Sequence, residues 1–231
     1  MFTVTVFSLA LLTKIFFKVH VYHYGVALAM PATLIVIHIL FFEAPRKISR
    51  TSPGEMLYKP AALILFLFFI ISHVRVSSDF YMKKVFPVGK ESDTIIAYNP
   101  KITSRSKIFQ IALDILEDKV QPREGFATFP TGTLLNYLSR RVNPLQSLGF
   151  NPVISKQIGE QTVLKSLRVH HPEYIVINFG DYRGFGPRYF GLDFGIEIYA
   201  WVQNNYVLFK QIGSDPVKDK SFGIQIFKRK P

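Results

Sequence analysis

Apolar residues dominate the first third of the chain, where long uncharged runs follow one another with few polar interruptions. The clearest run is PAALILFLFFII at 60–71, which lies in an uncharged stretch between Lys59 and Arg75. A helix needs about 20 predominantly apolar residues to cross a bilayer. The pattern predicts a membrane-spanning helix over about 57–76, and the methylene stems of Lys59 and Arg75 can reach the headgroups at its two ends.

Two earlier runs predict two further spans, so that residues 1–76 form about three transmembrane helices. The run at 21–42 contains no Lys, Arg, Asp or Glu and is long enough to cross with some tilt. The run at 2–18 is interrupted by Lys14 and Lys18. It lacks the basic start and the small-residue cleavage site of a removable signal peptide, so we interpret it as a helix.

The loop between the second and third predicted spans is basic. Arg46, Lys47, Arg50 and Lys59 lie in it together with two acidic residues. Short basic loops tend to stay on the cytoplasmic side of a membrane. We therefore expect this loop to be cytoplasmic, the third helix to run outward, and residues 77–231 to form an extracytoplasmic domain.

Residues 77–231 alternate helical and extended patterns. The residues that recur at helical spacing, and so form a predicted core face, are Ile108, Ile111, Ala112, Ile115 and Leu116. The continuous apolar run at 174–179 is typical of a strand buried on both faces. This alternation predicts a three-layer α/β domain with a mixed sheet. The predicted helices are 104–120, a short helix capped by Thr131 with Leu134, Leu135 and Leu138 on one face, 160–169 and 194–205; the predicted strands are 93–98, 125–129, 174–179, 206–212 and 222–227.

Charge and cysteine content narrow the possible partners. The chain has 231 residues, a formal net charge of +12 and no Cys. Both parts are basic, with seven Lys and Arg against two acids in 1–76 and 21 against 14 in 77–231. Next to membrane spans, this charge indicates attraction to the lipid bilayer or to an anionic lipid-linked substrate, and we expect no nucleic acid as a partner. The lack of Cys excludes disulfides, thiolate metal sites and a Cys nucleophile.

The stretch 180–193 is the strongest candidate for a binding site. Its sequence, GDYRGFGPRYFGLD, follows the predicted buried strand and precedes a predicted helix. Ligands of open α/β sheets bind where such strands end. The alternative is an ordered loop that is packed by its own aromatic residues, with Arg188 paired to an aspartate. The residues that we expect to hold a sugar or a phosphate are Asp181, Arg183, Arg188, Tyr189 and Asp193.

A second basic segment contains Arg140 and Arg141, whose guanidinium groups could meet a lipid phosphate. The alternative is that both are solvated arginines at the C-terminus of a helix. The sequence shows no Ser/His/Asp order, no metal-ligand spacing and no Asp-x-Asp pair. It therefore predicts neither a metal nor a cofactor, and it identifies no catalytic residue.

Several spaced motifs resemble the C-terminal region of a known enzyme family. They are FPTGTLLNYLSRRVNP at 129–144, PEYIV at 172–176, FGPRYFG within 182–191, WVQNNY at 201–206 and FGI at 222–224. In this order they resemble bacterial multi-spanning glycosyltransferases of the dolichyl-phosphate-mannose protein mannosyltransferase type. These enzymes belong to the GT-C class and use a polyprenyl-phosphate-sugar donor.

The resemblance implies a C-terminal part of such a glycosyltransferase in the inner (cytoplasmic) membrane. In that family the catalytic acid lies in the first extracytoplasmic loop of a chain with many more spans, and no residue of this sequence corresponds to it. We therefore expect a chain that binds a polyprenyl-phosphate-linked sugar and needs a membrane partner for the catalytic part. The alternative is a non-enzymatic, membrane-anchored module that binds a glycan or a partner, and fold-level likeness does not decide between the two.

Overall fold

The computed structural model describes residues 2–13, 26–49, 55–145, 147 and 149–231. The chain divides into two compact units, Met1–Phe80 and Tyr81–Pro231. The hydrophobic pattern predicted a boundary after Val76, slightly earlier in the chain. Each unit is described separately below.

The first unit is helical throughout its described residues. Pro31 lies inside the second helix and Pro60 inside the last one. The helices are α1 (Phe2–Thr13), α2 (Val26–His38), α3 (Ala44–Ser49) and α4 (Glu55–Met82), and a π-helical turn, Ile39–Glu43, joins α2 to α3.

Among the residues that the structure describes, one helix is long and apolar enough to cross a membrane, not the three that the sequence predicted. This helix is α4, in which the stretch Leu57–Met82 has 26 residues, none of them buried inside the protein. At 1.5 Å per residue the stretch is about 39 Å long. The predicted span at 2–18 contains the 12-residue α1, and its residues 14–18 lie outside the described ranges. The predicted span at 21–42 begins outside the described ranges as well.

The basic segment before α4 is more helical than the sequence suggested. Arg46 and Lys47 lie in α3, and Lys59 lies in the second turn of α4. Arg50 lies outside the described residues. At its other end α4 continues through 77–82, beyond the predicted end of the span at 76, and no Gly or Pro interrupts the helix there.

The second unit alternates helices with short strands. Periodicity located most of them within a few residues, but it missed the strand at 84–88, which lies in a segment that contains Pro87 and Gly89. The helices are α5 (Arg105–Lys119), α6 (Thr133–Ser139), α7 (Pro152–Ile158), α8 (Glu160–His170) and α9 (Ile196–Asn205), and the strands are β1 (Lys84–Val88), β2 (Ile95–Tyr98), β3 (Phe126–Phe129), β4 (Tyr174–Asn178), β5 (Tyr206–Gly213) and β6 (Gly223–Arg229).

The strands form a two-stranded hairpin and a four-stranded mixed sheet. β1 and β2 pair antiparallel. The larger sheet has the order β3-β4-β6-β5, in which β3 and β4 are parallel and the other two pairs are antiparallel. The prediction of an α/β fold with a mixed sheet is therefore confirmed.

Hydrophobic clusters cover both faces of this sheet. Ile175 and Ile177 of β4 belong to one cluster, which includes side chains of α8 and α9. Tyr174 and Val176 belong to the other, which includes side chains of α5 and α6. Successive side chains of a strand point to opposite faces, so the continuous apolar sequence of β4 requires helices on both sides.

Local packing differs from the predicted pattern at three places. Leu113 of α5 is fully buried, whereas Ile111, which the spacing placed on the core face, is 36% exposed. Leu134 of α6 is also exposed. Gly132, not Thr131, is the N-cap of α6, because the Thr131 hydroxyl hydrogen-bonds the Tyr182 hydroxyl at 2.8 Å.

The outer strand β5 carries a bulge. Leu208 pairs with Phe227 and Lys210 with Ile226, so Phe209 is an extra residue without a counterpart in β6. Val207, Leu208 and Phe209 are all exposed. Among the described strands, β5 has β6 as its only neighbour.

Glu160 joins the two helices on one face of the sheet. Its carboxylate, at the start of α8, accepts hydrogen bonds from the backbone N–H groups of Gly195, Glu197 and Ile198 at 2.9, 2.8 and 3.2 Å. These donors lie at the N-terminus of α9, where helix N–H groups have no partner within the helix. Gly195 has φ +66°, and a Cβ there would collide with the Phe190 ring.

Replacing Glu160 by Ala should lower the free energy of unfolding by about 1–3 kcal/mol, because it leaves N–H groups of α9 without their acceptor. Urea denaturation of the wild type and the variant measures this difference. Asp118→Ala is the matched control, since Asp118 is exposed and pairs with the adjacent Lys119. Equal losses in the two variants would contradict the role of Glu160 as a cap of α9.

Candidate functional site

A basic cleft of about 510 Å³ opens at the end of the sheet where β4 and β5 finish. Its walls come from the segment after β4, from the turn between β5 and β6, and from the start of α5. The side chains that carry its charge are Arg105, Arg183, Arg188, Lys220 and Asp181. Four cations and one carboxylate give the lining a net positive charge.

The carboxylate of Asp181 holds two arginines in place. Its Oδ1 accepts from the Arg188 Nε at 3.0 Å, and its Oδ2 accepts from the Arg188 Nη2 at 3.0 Å and the Arg183 Nη2 at 2.6 Å. Arg188 and Arg183 hold the pKa of the Asp181 carboxyl well below its usual range. Asp181 is therefore ionised at neutral pH and its acceptor positions are occupied, which makes it a poor general base.

Aromatic rings lie beside three of the cations of the cleft. The Arg188 guanidinium lies 4.8 Å from the centre of the Tyr189 ring, and the Lys220 ammonium lies 5.7 Å from it. The Arg105 guanidinium lies 5.0 Å from the centre of the Phe222 ring. Among the described residues, neither Arg105 nor Lys220 forms an ion pair with a carboxylate, so both keep their charge available for a ligand.

The start of α5 adds to the positive field of the cleft. Thr103, Ser104 and Arg105 line it, and Arg105 is the first residue of this 15-residue helix. The N-terminus of a helix carries a partial positive charge and unpaired N–H groups, which together favour an anion. The cleft is suited to bind a phosphate or another compact anionic group.

Four of the five loop residues singled out by the sequence line this cleft: Asp181, Arg183, Arg188 and Tyr189. Asp193 does not line it. Its Oδ2 accepts from the backbone N–H groups of Arg188 and Tyr189 at 3.0 and 2.8 Å, so it shapes the loop. The alternative prediction was an ordered loop in which Arg188 pairs with an aspartate, and this pairing is present. Arg183 and Arg188 nevertheless line the cleft.

Arg140 and Arg141 lie away from the cleft and have structural contacts. The Arg140 guanidinium pairs with Asp93. The Arg141 Nε donates to the Val120 carbonyl at 2.8 Å, and its Nη1 donates to the Ser139 carbonyl at 2.7 Å. The Arg141 bonds tie the end of α6 to the end of α5, whereas the Arg140 side chain stays largely exposed beside Asp93. The contact with a lipid phosphate that we expect from the sequence stays a prediction.

Arg105 and Lys220 were missed by the sequence reasoning. Arg105 follows Ser104, the predicted start of a helix, and Lys220 lies between the predicted strands at 206–212 and 222–227. Either position could be assigned to the cleft only after the order and direction of the strands were known. The signal present in the sequence was a predicted helix start and predicted strand ends, which are the places where ligands of α/β sheets bind.

Comparison with known proteins does not assign the chain to a family. No protein-family model, no curated protein and no solved structure matches the chain. The residues of the cleft and the sequence motifs are therefore the features that point to a function.

The interaction of Asp181 with its arginines should make stability depend on pH. Because its folded pKa is lowered, the pairing stabilises the fold above the unfolded pKa of about 3.9, and this contribution is lost as the pH falls from there toward the folded value. We expect the melting temperature of the wild type to exceed that of Asp181→Asn at neutral pH. This difference should become smaller in acid. Thermal unfolding at a series of pH values measures it. A difference that does not change between neutral and acidic pH would contradict the pairing.

Proposed function

We propose that the chain is the C-terminal part of a membrane glycosyltransferase that depends on a polyprenyl-phosphate-linked sugar, and that its second unit binds the anionic group of that ligand. The basic cleft is the main observation that supports this proposal. Four cations line it, its one carboxylate is occupied by two of them, and a helix N-terminus opens into it. The motifs from 129 to 224 and the apolar helix α4 give additional support.

The cleft acts in binding and not in the chemical step. Glycosyl transfer needs a group that accepts a proton from the acceptor, and such a base works best when its pKa lies near the working pH. The pKa of Asp181 is lowered by Arg188 and Arg183, and among the described residues no other carboxylate lines the cleft. The catalytic part is supplied by a membrane partner.

The second candidate is a non-enzymatic, membrane-anchored module that binds a glycan or a partner. It is favoured by the same saturated state of Asp181, since a cleft that holds anions and offers no base is sufficient for recognition. The two functions differ in one observable. Only the glycosyltransferase part increases sugar transfer when it is combined with a catalytic membrane subunit.

We propose that the chain lies in the inner (cytoplasmic) membrane and that α4 crosses the bilayer. The basic segment with Arg46 and Lys47 then stays in the cytoplasm. The second unit is then extracytoplasmic, where a lipid-linked sugar is presented to it.

Reporter fusions after Pro231 test this topology. A reporter that is active only outside the cytoplasm should work at this position, because α4 runs outward from its basic end. Replacing Arg46 and Lys47 by Gln weakens the retention signal and should lower the reporter signal. Activity of a reporter that works only in the cytoplasm would reverse the orientation.

Binding to lipid nanodiscs tests the function of the cleft. The full chain should bind polyprenyl phosphate, and Arg105→Gln or Lys220→Gln should each weaken binding about tenfold or more, since a hydrogen bond to a charged group contributes about 1.5–3 kcal/mol. Arg123→Gln, which removes an exposed charge outside the cleft, is the matched control and should have little effect. The readout is the dissociation constant from a titration with labelled lipid.

Two results of this titration would refute the proposal. The first is that polyprenol of equal length without phosphate binds as well as polyprenyl phosphate. The second is that the control variant weakens binding as much as Arg105→Gln does. Sugar transfer by the purified chain alone, abolished by Asp181→Asn, would show instead that the chain is catalytically complete.

A further inference from the structure

A second cleft lies at the opposite end of the same sheet, where β5 begins and β6 ends. It has a volume of about 450 Å³ and is lined by residues from the ends of α8, α9 and β6. The aromatic, polar and basic side chains that line it include Arg168, His171, Trp201, Asn204, Tyr206 and Arg229. Neither the proposed function nor the sequence motifs assign a role to this cleft.

Two aromatic rings form one wall of the second cleft. The centres of the Trp201 and Tyr206 rings are 5.6 Å apart. The Tyr206 hydroxyl donates to the Pro172 carbonyl at 2.7 Å, and this ring is buried. Trp201 is half-buried, because it packs against the hydrophobic cluster under α9 on one side and lines the cleft on the other. The fold therefore holds the indole rigidly at the edge of the cleft.

The remaining lining is polar and positively charged. The Arg229 Nη1 donates to the His171 carbonyl at 3.1 Å, which orients a guanidinium whose other donors stay available. Arg168 is exposed, and among the described residues it has no carboxylate partner. Lys230 donates to the Asn204 carbonyl at 2.7 Å and so satisfies the end of α9. No Asp or Glu among the described residues lines this cleft.

We propose that the second cleft binds an acidic sugar, of the uronic acid type. One face of a pyranose ring presents C–H groups that pack on an indole, and its carboxylate is matched by the forked donors of Arg168 and Arg229. The Asn204 amide offers both a donor and an acceptor to ring hydroxyls. The volume falls in the usual range of ligand sites, about 300–1,000 Å³.

Other anionic partners fit this cleft less well. A flat lipid surface does not enter a concave cleft with a half-buried indole at its edge. Single-stranded nucleic acid stacks its successive bases on successive aromatic side chains, whereas this cleft exposes a single indole beside the buried Tyr206 ring. A carboxylated sugar uses the ring, the amide and the arginines together.

Binding to the second cleft can be followed by the fluorescence of Trp201, because it is the only Trp of the chain. The full chain in nanodiscs of neutral phospholipid is titrated with trigalacturonate while the Trp emission is followed. Maltotriose, a neutral trisaccharide, and a short oligothymidylate serve as comparison ligands. We expect a saturable change in emission with trigalacturonate, and a response to each comparison ligand that is at least about tenfold weaker.

Matched variants locate the response. Arg168→Gln should weaken the apparent affinity for trigalacturonate by about tenfold, whereas Arg123→Gln, an exposed charge outside both clefts, should leave it unchanged. Arg105→Gln should also leave it unchanged, since Arg105 lies in the other cleft. Circular dichroism of each variant shows that the fold is retained.

Several outcomes would overturn the proposal. They are the absence of a saturable change with trigalacturonate, a response to maltotriose or oligothymidylate of equal affinity, and an equal loss of affinity in Arg123→Gln and Arg168→Gln. Each of these results is independent of polyprenyl phosphate binding, so the two clefts are judged separately.

Discussion

The double burial of β4 places two polar clefts of the second unit at the ends of its sheet. Ile175 and Ile177 face one hydrophobic cluster, and Tyr174 and Val176 face the other. Helices must therefore cover both faces of the sheet, and the ends of the strands are the places where its backbone and loops meet solvent. Both clefts lie at such ends, one after β4 and one before it.

The two clefts use cations in different ways. In the first, Asp181 and aromatic rings fix the guanidinium groups before a ligand arrives, while Arg105 and Lys220 keep their charge free of carboxylates. A side chain that is already ordered loses less rotamer freedom on binding. In the second, backbone carbonyls at the ends of α8 and α9 orient Arg229 and Lys230. The N-terminus of α5 strengthens the field for anions in the first cleft only.

Sequence periodicity was sufficient for the core of the fold and insufficient for the complete site. The apolar run of β4 and the spacing in α5 and α8 specify their own structure, because each buries a face of regular period. The Asp181 loop could be found because its residues are adjacent in the chain. Arg105 and Lys220 join it only through the sheet order β3-β4-β6-β5, which depends on long-range pairing. Near α4, the extension to Met82 escaped prediction because hydrophobicity ends before the helix does.

The bulge at Phe209 also bears on how the protein behaves at high concentration. β5 is an outer strand with the adjacent exposed residues Val207, Leu208 and Phe209, a pattern that could extend into a ladder between molecules. The extra residue interrupts the regular spacing of N–H and C=O groups, and Lys210 follows it directly. A neighbouring molecule would have to straighten the strand and bury a charge before it could pair along its full length. The irregularity therefore acts as a built-in barrier against fibrous association.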